Sequence, residues 1–255
     1  MNIIVLAKYV PNPQGVPDLG PDHLVIREDV DGGLDPTDEY GVEAALQLVE
    51  THSGEITVVC MGPEVALAGI RRALAMGANH AVLVTDDLLR GADVLVTARV
   101  LAAAIARRPF DLVIAGTEST DGYTGTLPAE VAELLDVPSA TFARKLEVTS
   151  GTLRIERQTE DGYDEVECPL PAVVTVTSGV NEPRYPTMKG IMQAKRKPLE
   201  RLSTSDLGLS ADALRSSQTV VTVQDAPTRT AGEVIEADDQ APPRIADLLS
   251  QARVI

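Results

Sequence analysis

The sequence predicts an α/β fold with a doubly wound, mostly parallel sheet, an antiparallel hairpin extension and a long C-terminal arm. Three observations predict it. Short β-branched runs alternate with helical periodicity over residues 1–140, hairpin signals follow, and the last fifty residues are polar and rich in loop formers. The core must be aliphatic, because only 3% of the residues are aromatic and there is no Trp.

The first part of the chain carries the parallel-sheet signal. Its β-branched runs, which predict buried strands, are Asn2–Ala7, Ile56–Met61, Ala81–Thr85 and Asp111–Gly116. Helical periodicity fills the intervals, over Asp38–Val49, Pro63–Gly77, Ala92–Ala106 and Pro128–Leu135. Alternation of this kind is typical of a twisted parallel sheet that is covered by helices on both faces.

The pattern changes after Val137-Pro138. Three short runs follow, Lys145–Thr149, Leu153–Thr159 and Tyr163–Cys168, separated by Ser150-Gly151 and Asp161-Gly162. A glycine after a small polar residue is a hairpin signal. We therefore expect an antiparallel excursion over residues 144–168, followed by a return strand over Ala172–Thr177.

Beyond Asn181 we expect no further strand. Residues 181–201 carry three prolines and six basic side chains, which are Arg184, Lys189, Lys195, Arg196, Lys197 and Arg201. Residues 1–202 are thus predicted to form the α/β domain, and residues 203–255 an arm with a short helix from about Arg244 to near Val254. The arm is too polar to pack wholly on its own domain, which favours a partner surface.

Composition excludes several classes of function. The net charge of −16 disfavours nucleic-acid binding, which depends on neutralising phosphates with Lys and Arg. No apolar run approaches the roughly 20 residues of a membrane span, so direct membrane insertion is not expected. The first residues lack a basic region and a cleavage signal, which favours a cytoplasmic protein. Cys60 and Cys168 lack a metal-ligand spacing and are predicted to be reduced structural thiols.

Three loops are candidates for ligand binding, because ligands of open parallel sheets lie beyond the carboxyl ends of the strands. They are Met61–Pro63, Leu34–Asp38 and Gly116–Thr126. Each alone is explained as readily by helix capping; their convergence on one sheet edge is what favours a nucleotide. Neither GxGxxG nor GxxxxGK[ST] is present. His23, His52 and His80 have no spacing that suggests a metal site or a catalytic triad, so no catalytic or metal residues are predicted.

Four segments carry a family resemblance. They are Ala73–Ala78, Asp111–Gly116, Leu170–Thr175 and, most specifically, Asn181–Lys195, which reads NEPRYPTMKGIMQAK. Through them the chain resembles, over nearly its whole length, the β-subunits of electron-transfer flavoproteins.

The resemblance implies an adenine-nucleotide α-hydrolase-like fold and a heterodimer with an α-subunit. The α-subunit would hold most of an FAD, and the β-subunit would support that FAD while binding AMP. The FAD would take electrons from acyl-CoA and related dehydrogenases and pass them to a membrane quinone reductase. The chain would then be an electron carrier rather than an enzyme.

The resemblance also implies site residues. Contacts to the nucleotide would come from Leu6, Asp35, Pro36, Thr37, Asp38 and Met61, and from the run Asp121, Gly122, Tyr123, Thr124, Gly125, Thr126, Leu127 and Pro128, continuing to Ala132. Partner docking would fall on Met188, at the position of the family's docking leucine, with Lys189, Gly190, Ile191 and Met192. The alternative for Met188 is packing beneath its own loop.

Some positions depart from the family. Where AMP-binding relatives have Asn-Gln-Thr-Gly-Gln, this chain has Thr124–Pro128, so backbone contacts are expected rather than side-chain ones. Relatives with Ile-Asp-Gly-Asp-Thr at this loop hold a second FAD and split electron pairs. Thr120–Thr124 shares part of that pattern, so AMP is favoured and a second FAD stays open as the alternative.

The sequence disfavours two other functions. An ATP pyrophosphatase or ligase of the same fold needs a phosphate loop after the first strand, but Lys8–Pro13 contains prolines that lack N–H donors. A stand-alone nucleotide-sensing module is disfavoured by the basic segment and the long polar arm.

Overall fold

The computed structural model describes residues 1–11, 16–224, 232 and 234–255; Asn12 and Pro13 lie outside the described residues. The chain forms two compact units, residues 1–220 and 221–255. The strands are β1 Asn2–Leu6, β2 Tyr9–Pro11, β3 Gly32–Leu34, β4 Glu55–Met61, β5 His80–Val84, β6 Leu112–Gly116, β7 Ser139–Thr149, β8 Thr152–Gln158, β9 Tyr163–Pro169, β10 Ala172–Val176 and β11 Leu199–Leu202. The helices are α1 Pro36–His52, α2 Leu67–Met76, α3 Val94–Ile105, α4 Leu127–Leu135, α5 Met188–Ala194 and α6 Ala241–Gln251.

The first unit is built on one large sheet. Within the described residues this sheet has nine strands in the order β11-β5-β4-β1-β6-β10-β7-β8-β9. All neighbours from β11 to β7 are parallel, and β8 and β9 add an antiparallel extension. The chain leaves β1 for β4 and β5 on one side and resumes at β6 on the other, so strand order reverses between β1 and β6. The doubly wound, mostly parallel sheet and its hairpin extension are confirmed.

Helices cover both faces of the sheet because alternate side chains of each strand point to opposite faces. In β1, Ile3 and Val5 join one apolar cluster and Ile4 and Leu6 join the other. The first cluster includes residues of α1 and α2, and the second includes residues of α3 and α4. Both clusters are almost wholly aliphatic, as the composition predicts.

The sheet does not end where the sequence suggested. We expected no strand beyond Asn181, but β11 pairs in parallel with β5 at the sheet edge. Its four residues, LERL, contain no β-branched side chain, and they are too few to show a regular alternation of apolar and polar residues. The strand is stabilised by distant partners instead, since Glu200 binds Arg108 and Arg201 binds Glu64. The small antiparallel pair of β2 and β3 was also not expected.

Residues 203–220 pack with the first unit. Thr204 is buried, and its Oγ1 donates to Asp86 Oδ2 at 2.6 Å. Hydrogen bonds from Thr204 lower the pKa of the Asp86 carboxyl. Three leucines of this stretch, Leu207, Leu209 and Leu214, contact the second apolar cluster. The contribution of the arm to partner binding stays a prediction.

In the second unit, the observed helix α6 overlaps in sequence with the helix predicted from about Arg244 to near Val254. The first turn of α6 contains two prolines. None of its residues is buried, and Ile245, Leu248 and Leu249 are exposed. Of the helices in the described ranges, none is both long and apolar enough to cross a lipid bilayer.

Lys197 caps the carboxyl end of α2. Its Nζ donates to the carbonyl oxygens of Leu74 at 2.9 Å and Ala78 at 2.6 Å, groups that have no partner within the helix. Burial lowers the pKa of the Lys197 ammonium. The charge also lies at the negative end of the helix dipole, where cations are stabilising.

We expect Lys197→Met to lower the free energy of unfolding by about 1–2 kcal/mol, because two carbonyl groups lose a charged donor. Lys195→Met is the matched control: Lys195 is exposed and forms no ion pair within the described residues, so its effect should stay within about 0.5 kcal/mol. Denaturant unfolding of the purified protein measures both. Equal effects of the two substitutions would contradict the capping role.

Candidate functional site

The candidate site lies where the strand order reverses, the usual place for ligands in such sheets. Here the loops that follow β1 and β6 meet the N-terminus of α1. Gly116, the last residue of β6, allows the approach: a Cβ atom at this position would lie 2.7 Å from Thr37 Oγ1. Two of the predicted loops, Leu34–Asp38 and Gly116–Thr126, therefore meet at this edge of the sheet. The third, Met61–Pro63, begins at the same edge, because β4 is the parallel neighbour of β1.

Asp35 joins α1 to the loop after β6. It caps α1, and its Oδ1 accepts hydrogen bonds from Thr37 N at 2.9 Å and Thr37 Oγ1 at 2.8 Å. Its Oδ2 accepts from Thr120 N at 2.7 Å and Thr120 Oγ1 at 3.1 Å. The residue is fully buried. Both the capping predicted for this loop and a long-range contact are thus present.

Asp38 is the second buried carboxyl of the site. Its Oδ2 accepts a hydrogen bond from Lys8 N at 2.7 Å. Burial, and then the nearby charge of Asp35, raise the pKa of Asp38 well above its ordinary value. Burial and Asp38 also raise the pKa of the Cys60 thiol to about 12, so this cysteine stays protonated. Cys60 and Cys168 are both free.

Asp121 is held between two cations. Its Oδ1 lies 2.6 Å from Lys8 Nζ and its Oδ2 lies 2.5 Å from Arg27 Nη2, with only 2% of the side chain exposed. Burial alone would raise the pKa of Asp121, but the charges and hydrogen bonds of Lys8 and Arg27 outweigh it and lower the pKa. Lys8 Nζ also donates to Ser119 Oγ at 3.0 Å. This network fixes the loop in place.

Neither Lys8 nor Arg27 was predicted from the sequence to be a site residue. Lys8 follows β1 directly at the point of strand reversal, a position that could have identified it. Arg27 lies in an irregular stretch with no local signal.

The tip of the loop, residues 122–126, is exposed. Gly125 has φ +70°, a backbone conformation that favours glycine. In the described part of the chain, the backbone N–H groups of Thr124, Gly125 and Thr126 have no hydrogen-bond acceptor. They precede α4, whose first turn contains Pro128, so the positive end of a helix dipole adds to their effect. Such a set of N–H groups is suited to binding an anion.

Two acidic side chains lie beside this tip, and two apolar residues that were predicted for the site lie at the ends of the neighbouring strands β1 and β4. Of these, Leu6 is buried and Met61 is half-buried. Glu118 lies near Gly125, with its Oε2 3.6 Å from the position that a Cβ atom would take. Glu130 accepts a hydrogen bond from Thr126 Oγ1 at 2.9 Å, while its Oε2 is buried without a partner within the described residues.

An open cleft of about 530 Å³ is lined in part by Thr37. Its lining comes from the segment after β6, from β7, from the end of β10 and from the tip of the β8–β9 hairpin, and includes Thr117, Glu118, Phe142, Gln158, Thr159 and Thr177. Phe142 is 46% exposed and has φ +60°. Its backbone N–H donates to Thr175 Oγ1 at 2.8 Å, which supports this unusual conformation.

The residues predicted for partner docking lie on α5. Met188 is 75% exposed, so it does not pack beneath its own loop, and Met192 is 66% exposed. Gly190 instead faces the protein: a Cβ atom there would lie 2.4 Å from the carbonyl oxygen of Ala75, so glycine lets α5 lie against α2.

Only part of the basic segment is available to a partner. Arg184 binds Glu43 and Glu50, Lys197 binds carbonyl groups of α2 and the loop after it, and Arg201 binds Glu64. Within the described ranges, the exposed Lys189, Lys195 and Arg196 form no ion pair. We call Met188, Lys189, Ile191, Met192, Lys195 and Arg196 the docking surface.

The site offers no metal-binding cluster: among the residues that the structure describes, no group of three or more His, Cys, Asp and Glu side chains could hold a metal ion. What the loop tip offers a ligand is the set of backbone N–H donors at residues 124–126.

Several known proteins are similar in sequence to this chain. The electron transfer flavoprotein domain family matches residues 23–207. Electron transfer flavoprotein subunit beta of Mycobacterium tuberculosis (strain H37Rv) is 39% identical over 264 residues, covering 100% of this chain and 99% of that protein. The subunit beta of Bacillus subtilis is 38% identical over 225 residues, 87% of this chain and 88% of that protein. Caffeyl-CoA reductase-Etf complex subunit CarD of Acetobacterium woodii is 37% identical over 225 residues, 87% of this chain and 86% of that protein.

Asp38 gives the site a pH dependence. Its raised pKa means that the folded chain binds this proton more tightly than the unfolded chain does. The stabilisation is therefore complete below the ordinary carboxyl pKa of about 4 and is lost as the pH rises through the folded-state pKa.

Asp38→Asn keeps an acceptor for Lys8 N but cannot titrate. We expect the unfolding free energy of this variant, relative to the original protein, to increase by more than about 1 kcal/mol between pH 4 and pH 8. Denaturant unfolding at several pH values measures it. Asp212→Asn, at an exposed position, is the control and should give a constant difference. A constant difference for Asp38→Asn as well would refute the assignment.

Proposed function

This chain belongs to the electron transfer flavoprotein family, and we propose that it is the β-subunit of a heterodimeric electron carrier that binds AMP and supports an FAD held mainly by an α-subunit. The family assignment rests on the match over residues 23–207 and on full-length identity of 39%. A β-subunit implies an α-subunit partner. The observation that carries the AMP proposal is the open set of backbone N–H groups at residues 124–126, beside the end of β1.

The charges of the site favour a nucleotide monophosphate. Lys8 and Arg27 are already paired with Asp121, so a bound phosphate would be held by backbone N–H groups and the α4 dipole rather than by cations. The carboxylates of Asp35 and Asp38 are buried and engaged with protein donors. We therefore assign them the role of ordering the α1 N-terminus, and expect Leu6 and Met61 to contribute apolar contacts.

The cleft beside Thr37 is the candidate surface toward the FAD. It carries hydroxyl groups and one exposed aromatic ring, that of Phe142, which suits a flat ring system. When bound, the flavin would supply the redox chemistry, taking up electrons and passing them on. This chain's own residues would bind and orient it and shield it from water. The proposed donors are acyl-CoA and related dehydrogenases of fatty acid oxidation, the proposed acceptor is a quinone reductase, and the proposed location is the cytoplasm.

A second FAD in place of AMP is the alternative. Similarity to subunit CarD and the partial match over Thr120–Thr124 favour it, and the exposed loop tip leaves space for a larger dinucleotide. A pyrophosphatase or ligase is less well supported, because the two cations nearest the loop are neutralised by Asp121.

Nucleotide analysis tests these proposals. The chain is co-expressed with its α-subunit, the complex is purified and denatured, and the released nucleotides are quantified. We expect one AMP and one FAD for each heterodimer. Two FADs without AMP would establish the alternative, and a chain that forms no flavin-containing complex would overturn the carrier proposal.

Gly125→Val should abolish AMP binding. A branched side chain blocks the approach of a phosphate to the backbone, and φ +70° is strained for any residue with a Cβ atom. Gly208→Val is the matched control, because Gly208 has φ +66° and open space around it. We expect the Gly125 variant to lose AMP while keeping its FAD, and the Gly208 variant to keep both. Full AMP occupancy in the Gly125 variant would rule out this cradle.

Met188→Ala should weaken docking of dehydrogenases. Truncating a single apolar anchor commonly costs about 2 kcal/mol, roughly thirtyfold in affinity. We therefore expect a higher KM for the flavoprotein in dehydrogenase assays, with FAD content and Tm unchanged. Leu88→Ala is the control, since Leu88 is also apolar and is 68% exposed, but lies outside the docking surface. An unchanged KM with several dehydrogenases would exclude Met188 as an anchor.

A further inference from the structure

We propose that Arg184 is a positioning residue that fastens the docking surface to α1, so that the surface is ordered before a partner arrives. The inference rests on the proposed docking function. It assigns to Arg184 no contact with the partner itself.

The contacts of Arg184 carry the inference. Its Nε and backbone N donate to Glu43 Oε2 at 2.7 and 3.2 Å, and its Nη2 donates to Glu43 Oε1 at 2.9 Å. Its Nη1 donates to Glu50 Oε1 at 2.6 Å, and Nη2 donates to Glu50 Oε2 at 3.2 Å. Every guanidinium nitrogen is therefore used. Glu43 and Glu50 are two turns apart on α1, and only a planar, forked donor can bind both carboxylates in this manner.

The burial of Glu43 makes this arrangement specific. Glu43 is 3% exposed and also accepts a hydrogen bond from Gln47 Nε2 at 3.0 Å, but Arg184 supplies its countercharge. An alternative position of Arg184 would leave the buried carboxylate without that charge. Glu50 is largely exposed and adds a second point of attachment. Because Arg184 is paired with residues of α1, its charge is not available to a partner. The cations of the docking surface are therefore Lys189, Lys195 and Arg196.

The segment before α5 needs such an attachment. Between Asn181 and Thr187 the described backbone N–H groups form no hydrogen bond with a backbone carbonyl, and Pro183 and Pro186 lack N–H groups altogether. Side chains hold the segment instead. Besides Arg184, Asn181 Nδ2 donates to Tyr40 O at 3.0 Å, and the ring of the exposed Tyr185 lies 6.0 Å from the Arg72 guanidinium carbon. Arg184 makes the most numerous and most buried of these contacts.

The consequence concerns binding rather than electron transfer. Without the attachment, the segment samples more conformations and must be ordered when the partner binds, which weakens affinity. Once the complex has formed, the position of the flavin is unchanged. Loss of Arg184 should therefore raise the KM for the flavoprotein and leave kcat unchanged.

The test uses the purified heterodimer in steady-state assays with an acyl-CoA dehydrogenase. We expect Arg184→Gln to raise the KM by roughly tenfold, the effect of ordering one or two additional side chains, with kcat, FAD and AMP content unchanged. Arg184→Lys keeps the charge but not the fork and should recover part of the loss. Arg154→Gln is the control: Arg154 pairs with Glu165 on the hairpin at 2.6 Å, the distance of the Arg184–Glu50 pair, and its loss should leave the KM unchanged.

A second measurement reports on the segment directly. Trypsin cleavage of the heterodimer after Lys189, Lys195 and Arg196, followed by mass spectrometry, should be faster in Arg184→Gln than in the original protein or in Arg154→Gln. If Arg184→Gln does not fold, Glu50→Gln replaces it, because this change leaves the buried Glu43 paired; it should raise both the KM and the cleavage rate.

The outcomes separate the two proposals. If Met188→Ala raises the KM and Arg184→Gln does not, the inference is wrong and the docking proposal stands. If Met188→Ala leaves the KM unchanged, the docking proposal fails and the inference fails with it. If the KM rises but cleavage of the segment is no faster, Arg184 acts on the partner directly and the positioning role is overturned.

Discussion

The arrangement of the candidate site depends on the hydrogen bonds that the buried side chain of Asp35 accepts. Four hydrogen bonds, from Thr37 and Thr120, converge on its two oxygens. A carboxylate accepts four such bonds, whereas an asparagine side chain offers a single acceptor oxygen. Burying the charge is tolerable because all its acceptor sites are used and the positive end of the α1 dipole lies beside it. Together with the hydrogen bond from Thr37 Oγ1 to Glu118 O and the ion pairs of Asp121, these bonds set the position of the loop after β6 relative to α1.

The anion site that we propose does not depend on a free cation, which suits an acidic protein. With a net charge of −16, cations are scarce, and those near the site are bound to carboxylates. Lys8 and Arg27 neutralise Asp121 and so stabilise the loop. The donors left at the loop tip are backbone N–H groups and a helix N-terminus, which attract an anion without needing a free side-chain charge. The docking surface uses the opposite solution, three exposed cations on an otherwise acidic chain.

The sequence identified the elements whose signals are local. The β-branched runs of β1, β4, β5 and β6 and the glycine turns of the hairpin each depend on a few neighbouring residues, and the structure confirms them. Capping was also predicted for the loop Leu34–Asp38, since capping involves only the next turn, and the structure assigns it to Asp35. The bond from Asp35 to Thr120 could not be predicted, because it joins residues far apart in the chain.

The same physical distinction explains what was missed. The edge strand β11 forms because β5 offers an unpaired edge and because Arg108 and Glu64 lie nearby, and none of this is visible in the four letters LERL. Arg27 approaches Asp121 through a stretch without periodicity. Arg184, Lys197 and Arg201 likewise bind groups that are distant in the sequence. A count of basic residues in this segment therefore overstated the positive charge available to a partner.

One helix connects the two proposed surfaces. The N-terminus of α1 is ordered by Asp35 at the nucleotide site, and Glu43, about 12 Å along the same helix at 1.5 Å per residue, receives Arg184 from the docking segment. An α-helix packed against a sheet is far stiffer than a proline-interrupted loop. The distance between the two surfaces is therefore set by α1 and not by the irregular chain that carries the docking residues. The start of α1, which Asp35 caps, and the docking segment, which Arg184 attaches at Glu43, therefore share one rigid element.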